Sequence, residues 1–494
     1  MVPDAVWGFR MRLVGWRKSA SGLRVGAMLA VAGALCLSGC GGSDGGSTPT
    51  PTPSPTPTPT ETPTPGPSDL GSGTDVQAVG ADWLATFTDP DGTRYRARQL
   101  GGTSGWLAES SGPVEAILGY GQSNATGAGL SEPDKLGVMF PRTVVMLTSG
   151  PEWQLATPRP AAADSFVSLA SIPTSGTLPG ALDSFAAERA ARDAGRSPAG
   201  IYQFTVSAAG QSILSFMPGR STYQVLMENV RQAKAAAQRY GRGFEVRALI
   251  WTQGENSTAG YADDLRKLID AVQGAIMAIT GQTRPPEFMI RQTAGATAKG
   301  PATEAAQAQW TVARERLGHG VTLIGPLYQG AMSDQHHYTT ESRMMFADLA
   351  ALAMESVRRG EVYQPVWPLS VTRVGRIIDV RFNVRGSGLQ FDRDRVPATE
   401  SEGFRFEDAT GVIAIASVAI LGTDTVRVTL DQDPAAGGGT LSYAMVDQPL
   451  SSFSGTRGTL YSQEDGVNTV FGRLGYAVPV HPRHYAIRFE MPTD

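Results

Sequence analysis

The sequence is poor in cysteine and histidine. Its two cysteines, Cys36 and Cys40, both precede the part of the chain that can fold. A disulfide framework, a thiolate nucleophile and a cysteine-ligated zinc site are therefore excluded from that part. Five histidines, His319, His336, His337, His481 and His484, are the whole supply for imidazole chemistry. Basic charge is also scarce. Of 42 basic and 46 acidic residues, five basic (Arg10, Arg12, Arg17, Lys18, Arg24) and one acidic (Asp4) lie in the first 39 positions, leaving 37 against 45, a net of −8. That balance argues against a nucleic-acid partner, which favours a basic face.

The 494 residues suffice for two or three domains, and 41% apolar content permits a sizeable core. The N-terminus has three zones: a basic stretch over 10–24, an uncharged run of 13 residues from Val25 to Leu37, then Ser38 and Gly39. This pattern predicts a secretory signal peptide over 1–39. The run is too short for a comfortable membrane-spanning helix. Leu37-Ser38-Gly39-Cys40 resembles the lipobox of bacterial lipoproteins. The resemblance implies cleavage before Cys40, a diacylglycerol on its sulfur, and an exported protein anchored in a bacterial envelope membrane. Ordinary secretion with a chance cysteine is the competing reading. Residues 40–74 are Gly/Ser-rich and then Thr/Pro-rich, with no apolar face to bury. They predict an extended stalk.

Residues 75–112 combine short mixed runs with the turn "DPDGTRY" (Asp89 to Tyr95) and predict a small β-rich lead-in. From 113 to 362, strand patterns at Val114–Tyr120, Thr143–Leu147, Ile201–Ser207, Phe244–Trp251, Phe288–Gln292 and Val321–Ile324 alternate with helical ones. The helices are Tyr223–Tyr240, Ala262–Ile279 and Glu341–Arg359. Such alternation predicts an α/β fold with a parallel sheet covered on both faces. Sites in such sheets form at the carboxyl ends of the strands. Residues 363–494 change character: Ile377–Phe382, Gly403–Phe406, Val412–Ile420, Thr425–Leu430 and Thr440–Met445 read as strands between Gly- and Asp-rich turns. They predict an all-β, sandwich-like accessory domain.

Three strand ends carry polar chemistry: "GYGQSNA" at 119–125, "IWTQGENS" at 250–257 and "SDQHHYT" at 333–339. Asp334 and His337 are three residues apart, so the carboxylate can hold one ring N–H while the other nitrogen faces outward as a base. A base needs a hydroxyl, and Ser123, at the end of the first strand and near a helix start, is the candidate nucleophile. His336 is the rival base. His481 and His484 read as surface residues of the β domain, and His319, in "GHG", as a loop residue.

"GQSN", "QGE" and a terminal Asp-x-x-His, in this order and at strand ends, resemble the SGNH hydrolase superfamily, and within it the sialate O-acetylesterase and carbohydrate esterase family 6 branch. The resemblance implies a flavodoxin-like three-layer α/β/α domain over 113–362. It implies a serine esterase removing acyl groups, chiefly acetyl, from carbohydrate, with no cofactor or metal. Ser123 matches the nucleophile, His337 the base and Asp334 the acid. The oxyanion hole would comprise the amides of Ser123 and Gly210 and the side chain of Gln253. Gln211 stands where many relatives have a second glycine, and Thr252 where many have histidine. Gln122, Asn124 and Glu255 are assigned to substrate binding or loop support. The β domain would bind glycan or orient the catalytic domain. Two other classes compete: a non-catalytic glycan-binding surface lipoprotein on a hydrolase-derived fold, and a lipase-like esterase.

Overall fold

Strands buried on both faces set the centre of the molecule. The computed structural model describes residues 66–126, 140–155, 157–169, 178–257, 259–294, 301–334, 336–435, 438–448 and 451–493. The signal segment, Cys40 and the Thr/Pro-rich run to Pro65 lie outside the described residues. Among the described residues, no helix is long and apolar enough to cross a membrane.

The chain enters through an antiparallel meander of four strands, Thr74–Val79 (β1), Asp82–Thr88 (β2), Arg94–Gln99 (β3) and Trp106–Ala108 (β4). The strand β1 is the outer edge of this sheet and is exposed along its whole length. Phe87, Tyr95, Ala97 and Trp106 fill the core beneath it. The chain is tied in earlier than β1, because Trp106 Nε1 and Gln99 Nε2 donate to the Ser68 carbonyl at 2.8 and 2.9 Å.

Next come Val114–Gly121 (β5), Val144–Leu147 (β6), Glu152–Gln154 (β7), Phe166–Ser168 (β8), Ile201–Ser207 (β9), Phe244–Thr252 (β10), Glu287–Gln292 (β11) and Val321–Pro326 (β12). They form one sheet in the order β12-β11-β10-β5-β9-β6-β8, with β7 also pairing β9. The five strands β9-β5-β10-β11-β12 are mutually parallel. In chain order this is 2-1-3-4-5, the flavodoxin-like arrangement. Strand β9 is buried at every position although Gln203, Thr205 and Ser207 interrupt its apolar residues, and β10 is buried without a break from Ala248 to Thr252.

The helices are Ser123–Thr126 (α1), Leu178–Asp193 (α2), Ser221–Arg239 (α3), Tyr261–Thr280 (α4), Pro301–Glu315 (α5) and Thr340–Arg358 (α6). Side chains alternate across β5, so Leu118 and Tyr120 belong to the same core cluster as Val225, Leu265 and Trp310 of α3, α4 and α5. Ile117 faces the other way, with Phe185 of α2 and Leu349 and Ala353 of α6. This gives three layers. Arg192 of α2 joins the lead-in to this unit: it bonds Asp89 at 2.7 Å and Glu188 at 2.9 Å, with all three side chains nearly buried.

Residues from Pro368 onward form three antiparallel sheets. The run Val412–Ile420, expected as one strand, is two. Gly411–Ile413 pairs with Phe404–Asp408, whereas Ile415–Leu421 pairs with Thr425–Leu430 in a different sheet. The chain switches sheets at Ala414, whose carbonyl accepts from Asp431 N–H. A run of uniform β pattern carries no mark of such a switch.

Candidate functional site

The sheet changes direction at β5: the chain lays β6 to β9 on one side and then crosses to β10 on the other. Such a switch point opens a crevice at the carboxyl ends of the strands. Three strand ends are stitched together there. Gln122 N–H donates to Thr252 O at 3.0 Å, and Ala208 N–H to Gly121 O at 3.0 Å. A Cβ at position 121 would lie 2.1 Å from the Thr252 carbonyl oxygen, so only glycine lets β5 and β10 close at this point. Ser123 comes two residues later, half-buried, as the first residue of the one-turn α1.

The loop 331–339 approaches from β12. It folds back on itself: Met332 bridges Tyr338, Ser333 N–H donates to His337 O at 2.7 Å, and Thr339 N–H to Ala331 O at 3.0 Å. Asp334 organises the tip. Its Oδ1 accepts from the His336 and His337 amides at 2.7 and 2.8 Å, and its Oδ2 meets His337 Nδ1 at 2.8 Å. His337 Nε2 then lies 3.1 Å from Ser123 Oγ, across 214 positions of chain. Burial pushes the Asp334 carboxyl up, but the bonds from the His337 ring and the two amides outweigh it and hold the group at about 2. A charged acceptor on Nδ1 assigns the proton there and leaves Nε2 as the acceptor facing Ser123. His336 is exposed, and its ring lies edge-on to His337 rather than against the serine.

Behind the serine sits a buried polar group. Asn124 Nδ2 donates to His336 O at 3.1 Å and to Glu255 Oε1 at 3.5 Å. Glu255 Oε2 is shielded from solvent, and burial pushes this carboxyl above its ordinary range. Arg343 was not singled out from sequence, yet it closes the arrangement. It is 3% exposed and donates to Asn124 O at 3.0 Å and Tyr338 O at 3.1 Å. One guanidinium thus ties the turn bearing Ser123 to the loop bearing His337. Burial pulls it down to about 9. The only trace in the sequence is an arginine beside Met344, Met345 and Phe346 on a helix otherwise buried along that stretch.

Gly210 lies in the turn after β9 at φ +66, with open space where a Cβ would stand. Among the described residues, neither its amide nor that of Ser123 donates to a backbone carbonyl. Gln253, 1% exposed, directs Nε2 to Gln211 O at 3.2 Å and Asn256 O at 3.3 Å. It therefore pins the turn next to Gly210. Gln122 is 3% exposed, and its Oε1 has no partner among the described residues.

The remaining histidines divide. His319 is exposed in a turn and His481 is half-buried on Val467 O at 2.9 Å. His484 corrects the expectation of a surface residue: it is 2% exposed, with Nε2 at 3.0 Å from Glu464 and Nδ1 at 3.4 Å from the Tyr363 hydroxyl. Its flanking "HPRHYAIRF" has enough polar residues to read as surface when it is in fact a buried strand end.

Comparison with known proteins follows the same segment. Residues 114–356 match the sequence model of a family described as carbohydrate esterase, sialic acid-specific acetylesterase. No curated protein matches the chain. Among solved structures, the fold is similar to that of a carbohydrate acetylesterase from Xanthomonas citri, with a TM-score of 0.53 and 17% identity over 84% of this chain and 86% of that one. That likeness runs well past the matched segment. A protein from Arabidopsis thaliana is similar at a TM-score of 0.37 and 17% identity, over 49% of this chain and 98% of its own. NanS is similar at a TM-score of 0.37 and 14% identity, over 51% and 100% respectively.

Proposed function

Residues 114–356 are a domain of the carbohydrate esterase, sialic acid-specific acetylesterase family, and from that premise we propose that this carboxylic ester hydrolase cleaves acetyl esters on carbohydrate through Ser123, His337 and Asp334. The observation that carries the reading is the 3.1 Å contact between His337 Nε2 and Ser123 Oγ, with Asp334 on the opposite ring nitrogen. Ser123 Oγ attacks the ester carbonyl as Nε2 takes its proton. The imidazolium is stabilised by Asp334 and returns the proton to the departing sugar oxygen. Water then attacks the acetyl-serine with the same base, releasing acetate and restoring the serine proton.

The amides of Ser123 and Gly210 are the oxyanion donors in this reading. Gln253 holds both amide hydrogens on carbonyls in the resting site, so donating to the oxyanion requires it to release one of them. Gln122, Asn124 and Glu255 support the turn. The proposal extends to the N-terminus: Cys40 carries the lipid, and the Thr/Pro-rich run lifts the enzyme from a bacterial envelope membrane. Loss of radiolabelled palmitate incorporation in Cys40→Ser tests that part.

The central test is acetate release from a panel of acetylated polysaccharides by protein starting at residue 66, which keeps Ser68 and the lead-in intact. We expect release from at least one glycan, preference for acetyl over long acyl chains, and loss of both activities in Ser123→Ala. A panel that stays acetylated, together with an inert aryl acetate, returns the protein to the glycan-binding class.

A further inference from the structure

The region after residue 363 touches the hydrolase domain at the one loop whose position decides whether His337 reaches Ser123. Met332 N–H donates to Ser452 O at 2.6 Å, and Ala331 bridges Phe453 in an antiparallel sense. Met332 also bridges Tyr338 on its other side. Residues 452–453 therefore add a third run to the small ribbon that carries Asp334 and His337 at its tip. The segment is itself anchored: Asp447 bridges Thr456, and Gln448 N–H donates to Gly455 O at 2.7 Å. Phe453 is partly buried against the main core.

A second contact lies behind the same site. Arg488, 0% exposed, exchanges a pair of bonds with Gln292 at the end of β11. Its N–H donates to Gln292 Oε1, and Gln292 Nε2 to its carbonyl, both at 2.8 Å. Its guanidinium reaches Thr293 O at 2.9 Å from one side and Ala444 O at 3.0 Å from the other. Its charge acts on Glu255 and Tyr338, the two groups flanking Asn124 and the acid–base loop. Tyr328, where β12 leads into that loop, donates from its hydroxyl to Ala486 O at 2.5 Å. The loop is thus held at its entry, along its outer edge and from behind by residues of the C-terminal region.

We propose that the C-terminal β region is a working part of the esterase site, fixing the acid–base loop through the Ala331–Phe453 pairing so that His337 stays in reach of Ser123. The inference rests on the serine mechanism proposed above. Phe453 is a positioning residue: it touches neither substrate nor reacting atoms. A shift of about 1 Å in a catalytic group costs on the order of a hundredfold in rate, so the effect falls on turnover rather than on binding.

Two full-chain proteins test it. In Phe453→Gly we expect kcat on an aryl acetate to fall by about tenfold to a hundredfold with KM unchanged. The rate of Ser123 labelling by a fluorophosphonate should fall by the same factor. In the second, Ala331→Cys/Phe453→Cys, the bond from Met332 to Ser452 makes 331 and 453 a non-hydrogen-bonded pair, with Cα atoms about 4.5 Å apart. A disulfide spans that distance, and joined peptides in mass spectra identify it against Cys36 and Cys40. The oxidised form should keep its fluorophosphonate reactivity to higher urea than the same protein reduced. Unchanged kcat and labelling in Phe453→Gly, or an oxidised form no more resistant than the reduced one, overturns the inference. If Phe453→Gly does not fold, the oxidised-against-reduced comparison decides alone. A wild-type serine that never labels retracts the serine mechanism instead, and the inference with it.

Discussion

Two places in this molecule hold a histidine between a carboxylate and a hydroxyl, and they differ in how far they are buried. At the sheet mouth, His337 joins Asp334 and Ser123 at 2.8 and 3.1 Å. In the C-terminal region, His484 joins Glu464 and Tyr363 at 3.0 and 3.4 Å. The His337 side chain is 21% exposed and that of His484 is 1% exposed. Burial pulls His484 below its ordinary value, while the hydrogen bond from its ring, with Arg385, holds Glu464 at about 2. The phenol gains nothing as a nucleophile. Burial raises Tyr363 to about 12, and its hydroxyl also faces Ile324 O at 3.2 Å. The two sites share an imidazole between a carboxylate and a hydroxyl but differ in burial: Ser123 and His337 are half-buried, whereas Tyr363 and His484 are buried. The buried set is a satisfied core contact.

Substitutions can break that contrast, beginning with the largest effect. Ser123→Ala should lower kcat for aryl acetate by at least about 10⁴-fold with the melting temperature unchanged. Asp334→Asn should lose up to about 10⁴-fold, because the amide favours the wrong ring tautomer. Gly210→Ala strains the left-handed turn whose own amide is a proposed oxyanion donor. A loss of about ten- to a hundredfold in kcat is expected, under the full cost of removing such a donor. At the buried counterpart, His484→Gln should leave turnover within about twofold and cost about 1–3 kcal/mol in urea unfolding. A large kinetic defect there would erase the distinction.

The smallest effect is in acid. Glu464 is depressed in the folded state, so its contribution to stability is complete above its ordinary value of 4.5 and is lost as pH falls toward 2. The gap in melting temperature between wild type and Glu464→Gln should therefore narrow between pH 4.5 and 2. A gap constant over that range would refute the depressed value.

Much of the hydrolase sheet was legible because parallel strands buried on both faces write themselves as apolar runs, as over Ala248–Trp251 of β10. The motif segments stood out because two of them close β5 and β10 directly, while the third follows β12 after a short turn. Helix α2 was not, since its buried face uses Ala181, Ala186 and Ala187 alongside buried Asp183 and Glu188, which blur a 3.6-residue pattern. Arg343 and the Ala414 switch depend on partners more than 100 residues or one sheet away, which no local pattern encodes. His484 misled because the polar residues flanking it in sequence are themselves paired, Arg483 with Asp394 and Arg488 with Thr293 O, rather than solvated.

The exposed outer strand β1 has a practical consequence. Its outward N–H and C=O groups have no neighbouring strand among the described residues, and Val76 and Val79 are 38% and 42% exposed. A bare edge of this kind recruits other chains by strand addition when concentrated. Preparations trimmed to the folded part should therefore be handled dilute, or carry a lysine at 77 to discourage sheet-to-sheet polymerisation.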